Sequence, residues 1–148
     1  MLKALRKLLD PGGTEHRSPL ESRQLEVAVA CLLHESKRVD PDEEASEHQA
    51  ACDALVQLFG TTEEDGEALL RQGREKARRL TSYYSPVSLI KRDFGLEQRV
   101  LLIEHLWRIA YADGTLDPYE DHYVRKIAHL LYVPNTQTML ARSRARPA

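Results

Sequence analysis

The chain has 148 residues, of which 42% are hydrophobic, 30% charged and 6% aromatic, and its formal net charge is −2. That length supports one core without a metal or disulfide staple, and the composition fits neither a membrane-spanning nor a disordered class. So few aromatic residues argue against a nucleic-acid binder that works by base stacking.

Leu2, Leu5, Leu8 and Leu9 form an apolar stripe opposite Lys3, Arg6 and Lys7, ended by Asp10-Pro11-Gly12-Gly13. The pattern predicts a short basic amphipathic helix. It can pack on the protein's own core, enter a partner groove, or touch an anionic membrane surface weakly through residues 1–10. The segment is too short and too charged for a signal peptide, and no later stretch reaches membrane-spanning length, so a cytoplasmic location is expected.

From Leu20 or Glu21 to about Ser36, Leu25, Val29, Leu32 and Leu33 recur at three- and four-residue steps, which predicts a helix with one buried face. Asp40-Pro41-Asp42-Glu43 then supplies a cap, a proline at the first helical position and an acid in the first turn, opening a helix to about Phe59-Gly60. Thr61 and Glu64 form a capping box for the next helix, which passes from acidic Glu63-Glu64-Asp65 to basic Arg74 through Arg79, as the helix dipole favours. Gly66 and Gly73 each weaken that helix by about 1 kcal/mol relative to alanine, so tertiary packing must hold it.

Ser85-Pro86 opens a short helix to about Phe94, with Gly95 expected as a left-handed cap. Leu96 to Ala112 is the most apolar helix, carrying Val100, Leu101, Ile103, Leu106, Trp107, Ile109 and Ala110, and is expected at the centre. Beyond the last helix, Arg142-Ser143-Arg144-Ala145-Arg146 is expected as a solvated end whose charge can assist docking onto an acidic surface.

The charge is unevenly spread: residues 34–67 hold eleven acidic and two basic side chains, and residues 71–79 hold five basic and one acidic. The molecule should be electrically polarised, and its acidic stretch should repel nucleic acid. Cys31 and Cys52 sit among apolar residues at helical spacing, as reduced, buried structural thiols do.

Sliding the chain along itself by 77 residues places Leu25–Leu55 on Leu102–Tyr132. Asp40-Pro41-Asp42-Glu43 then falls on Asp117-Pro118-Tyr119-Glu120, and Val29 on Leu106. These readings predict an all-α, single-domain bundle of seven or eight helices built on two pseudo-repeated hairpins. Residues 1–19 would form an N-terminal helix and linker, 20–142 the domain, and 143–148 a basic tail.

Asp113, Asp117 and Glu120 are candidate ligands for a divalent cation, joined by Asp40 and Glu43 if the two turns approach each other. With Glu120 at the twelfth position of an EF-hand loop, Asp113 takes the fifth and Gly114 the sixth. Ile109 and Tyr111 would then occupy the first and third, where carboxylates are required, so a true EF-hand is ruled out. The same residues also read as structure, with Asp117 capping a helix, Glu120 completing the box and Gly114 supplying a positive φ. The six histidines include no His-Glu-x-x-His helix, and there is no Cys-x-x-Cys pair, nucleophile elbow, phosphate loop or dinucleotide fingerprint, so no catalytic role is expected.

The run Leu106-Trp107-Arg108-Ile109-Ala110-Tyr111-Ala112-Asp113-Gly114-Thr115-Leu116-Asp117-Pro118-Tyr119-Glu120, continuing to Ile127-Ala128-His129-Leu130-Leu131, resembles the signature of TerB-like tellurite-resistance domains. The likeness covers roughly residues 20 to 142. The first copy departs from the pattern, with Ser36-Lys37 where Asp-Gly is usual, and keeps only Asp40 and Glu43. The resemblance implies an all-helical fold, shared with the N-terminal region of a membrane-anchored DnaJ-like co-chaperone. It also implies a non-enzymatic stress-response role through a protein partner; the alternative is a divalent-cation sensor using the acidic turns.

Overall fold

The computed structural model describes residues 18–35, 44–112 and 114–147; the predicted helix at Leu2–Leu9 and the cap at Asp40 lie outside them. Among the described residues there are seven helices and no strand: α1 (Pro19–Glu35), α2 (Glu44–Phe59), α3 (Glu63–Arg79), α4 (Tyr84–Asp93), α5 (Leu96–Ala110), α6 (Pro118–Leu130) and α7 (Asn135–Ala145). The all-α class expected from periodicity is what the chain adopts. No helix among the described residues is long and apolar enough to cross a membrane.

Ser18 starts α1, its hydroxyl accepting a hydrogen bond from Glu21 N at 3.1 Å. The expected single buried face is too modest a description of this helix. Every residue from Ala28 to Leu33 is buried, because α2, α3 and α4 close on α1 from different sides. Small residues at Ala28, Ala30 and Cys31 allow that approach. Gly73 of α3 makes the nearest crossing: a Cβ there would stand 2.7 Å from the Ala30 carbonyl carbon and 2.8 Å from Cys31 N. The glycine that weakens α3 as an isolated helix is thus what lets it pack backbone to backbone on α1, the contact that stabilises both.

Two caps differ from expectation by small shifts. Thr62 rather than Thr61 caps α3, its hydroxyl accepting from Asp65 N at 3.1 Å. Gly95 does not take the left-handed cap assigned to it. With φ −72°, it is the extended N-cap of α5, and its N–H donates to Gln98 Oε1 at 2.9 Å. Phe94 ends α4 instead, and its buried ring meets Phe59 at 6.0 Å between centroids.

The central position expected for α5 is confirmed: Leu102, Ile103, Leu106, Trp107 and Ile109 are fully buried between α2, α6 and α7. The largest contacts join α1 to α3 and α5 to α7. Of residues 142–146, expected as a solvated end, Ser143, Arg144 and Arg146 are exposed, yet the segment is not detached from the fold. Residues 142–145 form the last turn of α7, where Arg142 Nε donates to Tyr111 Oη at 3.1 Å and Arg144 Nε donates to the buried carboxylate of Glu104.

Candidate functional site

The acidic turn after α5 is built as a helix connection. Gly114 N donates to Tyr111 O at 2.8 Å and Gly114 has φ +97°, the positive value expected there. Asp117 is the N-cap of α6, its Oδ1 accepting from Tyr119 N at 2.7 Å, with Pro118 at the first helical position. Glu120 is buried in the first turn of α6, and Asp121 accepts from Arg125 Nε at 3.0 Å. Asp113, Asp40 and Glu43 lie outside the described residues. Among the described residues, no three His, Cys, Asp or Glu side chains gather as metal ligands.

A different surface gathers cations and aromatic rings. The C-terminal half of α3 presents Arg71, Arg74, Arg78 and Arg79 to solvent, and three hollows open around its end. One, of about 510 Å³, lies by Arg23, Lys76, Pro86 and Arg92. The second, of about 630 Å³, lies along α3 by Arg71, Gln72, Lys76 and Arg79. The third, of about 710 Å³, sits where the ends of α1 and α3 meet α4 and α6. Tyr84 belongs to both the first and the third and separates them.

The third hollow takes three of the chain's six tyrosines, Tyr83, Tyr84 and Tyr132. Tyr83 is pinned edge-on to Tyr123, 5.8 Å between ring centroids at 73°, and the Tyr123 hydroxyl donates to Leu32 O of α1 at 2.8 Å. Burial, then the neighbouring Glu35 carboxylate, pushes the Tyr83 phenol up to about 12, so it stays protonated. Lys126 stands 5.2 Å from the centre of the Tyr83 ring and Lys91 stands 4.2 Å from that of Tyr132. These cation–π contacts hold both ammoniums at the hollow.

Tyr132 reaches its place by an unusual route. After α6, Val133 N donates to Ala128 O at 2.9 Å and Tyr132 N to His129 O at 3.1 Å, the paired bonds of a Schellman cap. The position between them requires a left-handed backbone, and Tyr132 occupies it with φ 57° where glycine is the usual residue. Its ring is 71% exposed, so burial does not offset the strain.

Periodicity alone did not single out Tyr83, Tyr84, Lys91, Lys126 or Tyr132, because they lie at helix ends and on solvent-facing positions. Two local signals were present: the pair Tyr83-Tyr84 ahead of Ser85-Pro86, and a helix end at Leu131-Tyr132-Val133-Pro134 with no glycine.

The two thiols lie elsewhere and are inert by environment. Cys31 and Cys52 are free and buried, and burial, reinforced by Glu35 for the first and Glu67 for the second, pushes each up to about 11. His48 pairs with Glu67 at 2.6 Å, and His122 and His129 are exposed on α6.

Among the described residues, fold and surface define a small all-helical domain with a charge-polarised helix α3 and a hollow lined by three tyrosines. The chain belongs to the family described as Tellurite resistance protein TerB, whose model matches residues 26–143. Membership associates it with tellurite resistance. No curated protein and no solved structure matches the chain.

Proposed function

We propose that this domain is a non-catalytic module of the tellurite stress response that acts by binding an acidic protein partner through the C-terminal half of α3. The observation that carries the reading is the polarity of α3 itself. Glu63, Glu64 and Asp65 are exposed at its start, and Arg71, Arg74, Arg78 and Arg79 are exposed toward its end, about 24 Å away at 1.5 Å per residue. Only Arg78 among these arginines has a carboxylate within ion-pair distance among the described residues, Glu75 at 3.2 Å. Such a face raises the encounter rate with an acidic surface and fixes its register more than it adds raw affinity.

The thiols support a binding role over a chemical one. Reduction of an oxyanion by cysteine needs an accessible thiolate, and both cysteines are buried and held protonated at neutral pH. A cell whose tellurite tolerance depends on this chain tests the reading. The triple variant Arg71→Glu, Arg74→Glu, Arg78→Glu should lose protection while its purified form melts within a few degrees of wild type. Cys31→Ala should protect as well as wild type does. Full protection by the triple variant would refute partner docking at α3, and loss of protection in a well-folded Cys31→Ala would bring thiol chemistry back.

A further inference from the structure

The hollow between α4 and α6 has the size and lining of a small-ligand site and differs in kind from the open arginine face of α3. Its volume of about 710 Å³ falls within the range that encloses a drug-sized molecule. A bare inorganic ion would leave most of it empty.

The lining specifies two chemical features. Lys91 and Lys126 bring two ammoniums, and neither has a carboxylate within ion-pair distance among the described residues. Lysine acts as a compact point charge with three rotatable donors, and a pair of them suits the double charge of a phosphomonoester. Thr81, Ser82 and Ser88 add hydroxyls to the same walls. The second feature is flat and apolar. Tyr84 is 79% exposed, and no ring or cation stacks on it among the described residues. Tyr132 is displayed from a backbone conformation that disfavours any side chain. Exposed aromatic rings flanking a cavity offer faces on which another ring can stack. Glu35, the only acid among the described lining residues, lies beside Tyr83 as Lys126 does, so the lining carries two ammoniums against one carboxylate.

We propose that this hollow binds a small ligand in which a phosphomonoester is joined to a flat aromatic ring system, the chemistry of a mononucleotide. Lys91 and Lys126 hold the phosphate, and Tyr84 and Tyr132 receive the ring. The site is separate from partner docking at Arg71, Arg74 and Arg78, so either can fail without the other.

Titration calorimetry of the full chain with AMP, flavin mononucleotide, adenosine and inorganic phosphate tests the assignment. AMP or flavin mononucleotide should bind, with adenosine and phosphate each weaker by about tenfold or more, because each supplies only half of the interaction. Tyr84→Ala, Lys91→Gln and Lys126→Gln should each weaken the bound nucleotide by about tenfold, and Arg74→Glu should leave it unchanged. Tyr84 is exposed, so its truncation leaves the core intact. No binding of either mononucleotide at about millimolar concentration would overturn the proposal, as would binding indifferent to Tyr84→Ala and both lysine variants.

Discussion

Cationic and aromatic side chains do opposite work in two regions of this molecule. Where α7 meets α5, charges close on one another. Glu104 is buried and accepts from both Arg108 and Arg144, Arg142 donates to the Tyr111 hydroxyl, and Trp107 Nε1 donates to Thr138 O at 3.1 Å. Where α3, α4 and α6 converge, Lys91 and Lys126 face tyrosine rings with no carboxylate partner among the described residues, and Tyr84 and Tyr132 stay exposed. Residue type alone therefore does not separate structure from function here. Whether polar groups are consumed within the fold does: the first set fastens the last helix, and the second remains available to a ligand.

The sharpest way to break that contrast is to cut the fastening. Trp107 is fully buried, and its indole both fills the space under α7 and holds it by a hydrogen bond. Trp107→Ala should cost about 3–5 kcal/mol, read as a lower urea midpoint, and should release α7 to proteolysis before the rest of the domain. A loss near 1 kcal/mol would mean that α7 is not held through Trp107.

Next in size is a pH effect on the same helix. His105 is buried, its Nε2 has no hydrogen-bond partner among the described residues, and burial, helped by Arg108 and opposed by Glu104 and Asp53, depresses it from 6.5 to about 4. The unfolded chain therefore takes up the proton first. The stability from keeping His105 neutral is fully present above about pH 6.5 and drains away as pH falls toward 4, by about 2 kcal/mol between pH 7 and 5. Urea midpoints across that range should fall more steeply for wild type than for His105→Phe. Parallel profiles would show that His105 titrates normally.

The same distinction between consumed and available groups explains what was legible in the sequence. Ile103, Leu106, Trp107 and Ile109 announced α5 because burial imposes a helical period on apolar residues, and Gly114 announced a positive φ because glycine tolerates it most easily. Gly73 looked like a flaw, since the backbone of α1 that needs its missing Cβ is more than forty residues away in sequence. The arginines of α7 read as a tail with no contacts because their partners, Tyr111 and Glu104, are 31 and 40 residues distant. The tyrosine hollow was hidden for the same reason: α1, α3, α4 and α6 each contribute to it, and no window of sequence contains them together.

A smaller effect bears on the acidic turn. Asp117 caps α6, so Asp117→Ala should cost about 1 kcal/mol through the lost bond to Tyr119 N. Melting of chelator-treated protein with added calcium, magnesium, manganese or zinc then separates a cap from a ligand. A cap predicts the same loss with and without cation. A cation that raises the wild-type midpoint but not that of Asp117→Ala would bring the sensor reading forward, because a ligand of the native state must stabilise it by mass action.

The smallest effect has the opposite sign. Tyr132 holds a left-handed position at the end of α6 that glycine would occupy without strain, and its ring is too exposed to offset that cost. Tyr132→Gly should relieve the strain and stabilise the domain by about 0.5–1 kcal/mol, less whatever the Lys91 contact contributed. It should also weaken mononucleotide binding, since both the stacking ring and the support of Lys91 are gone. Stability and binding moving in opposite directions on one substitution is the signature of a residue retained for what it presents to solvent. If the glycine variant proves less stable than wild type, Tyr132 is a structural residue like Trp107, and the contrast between the two regions fails at that position.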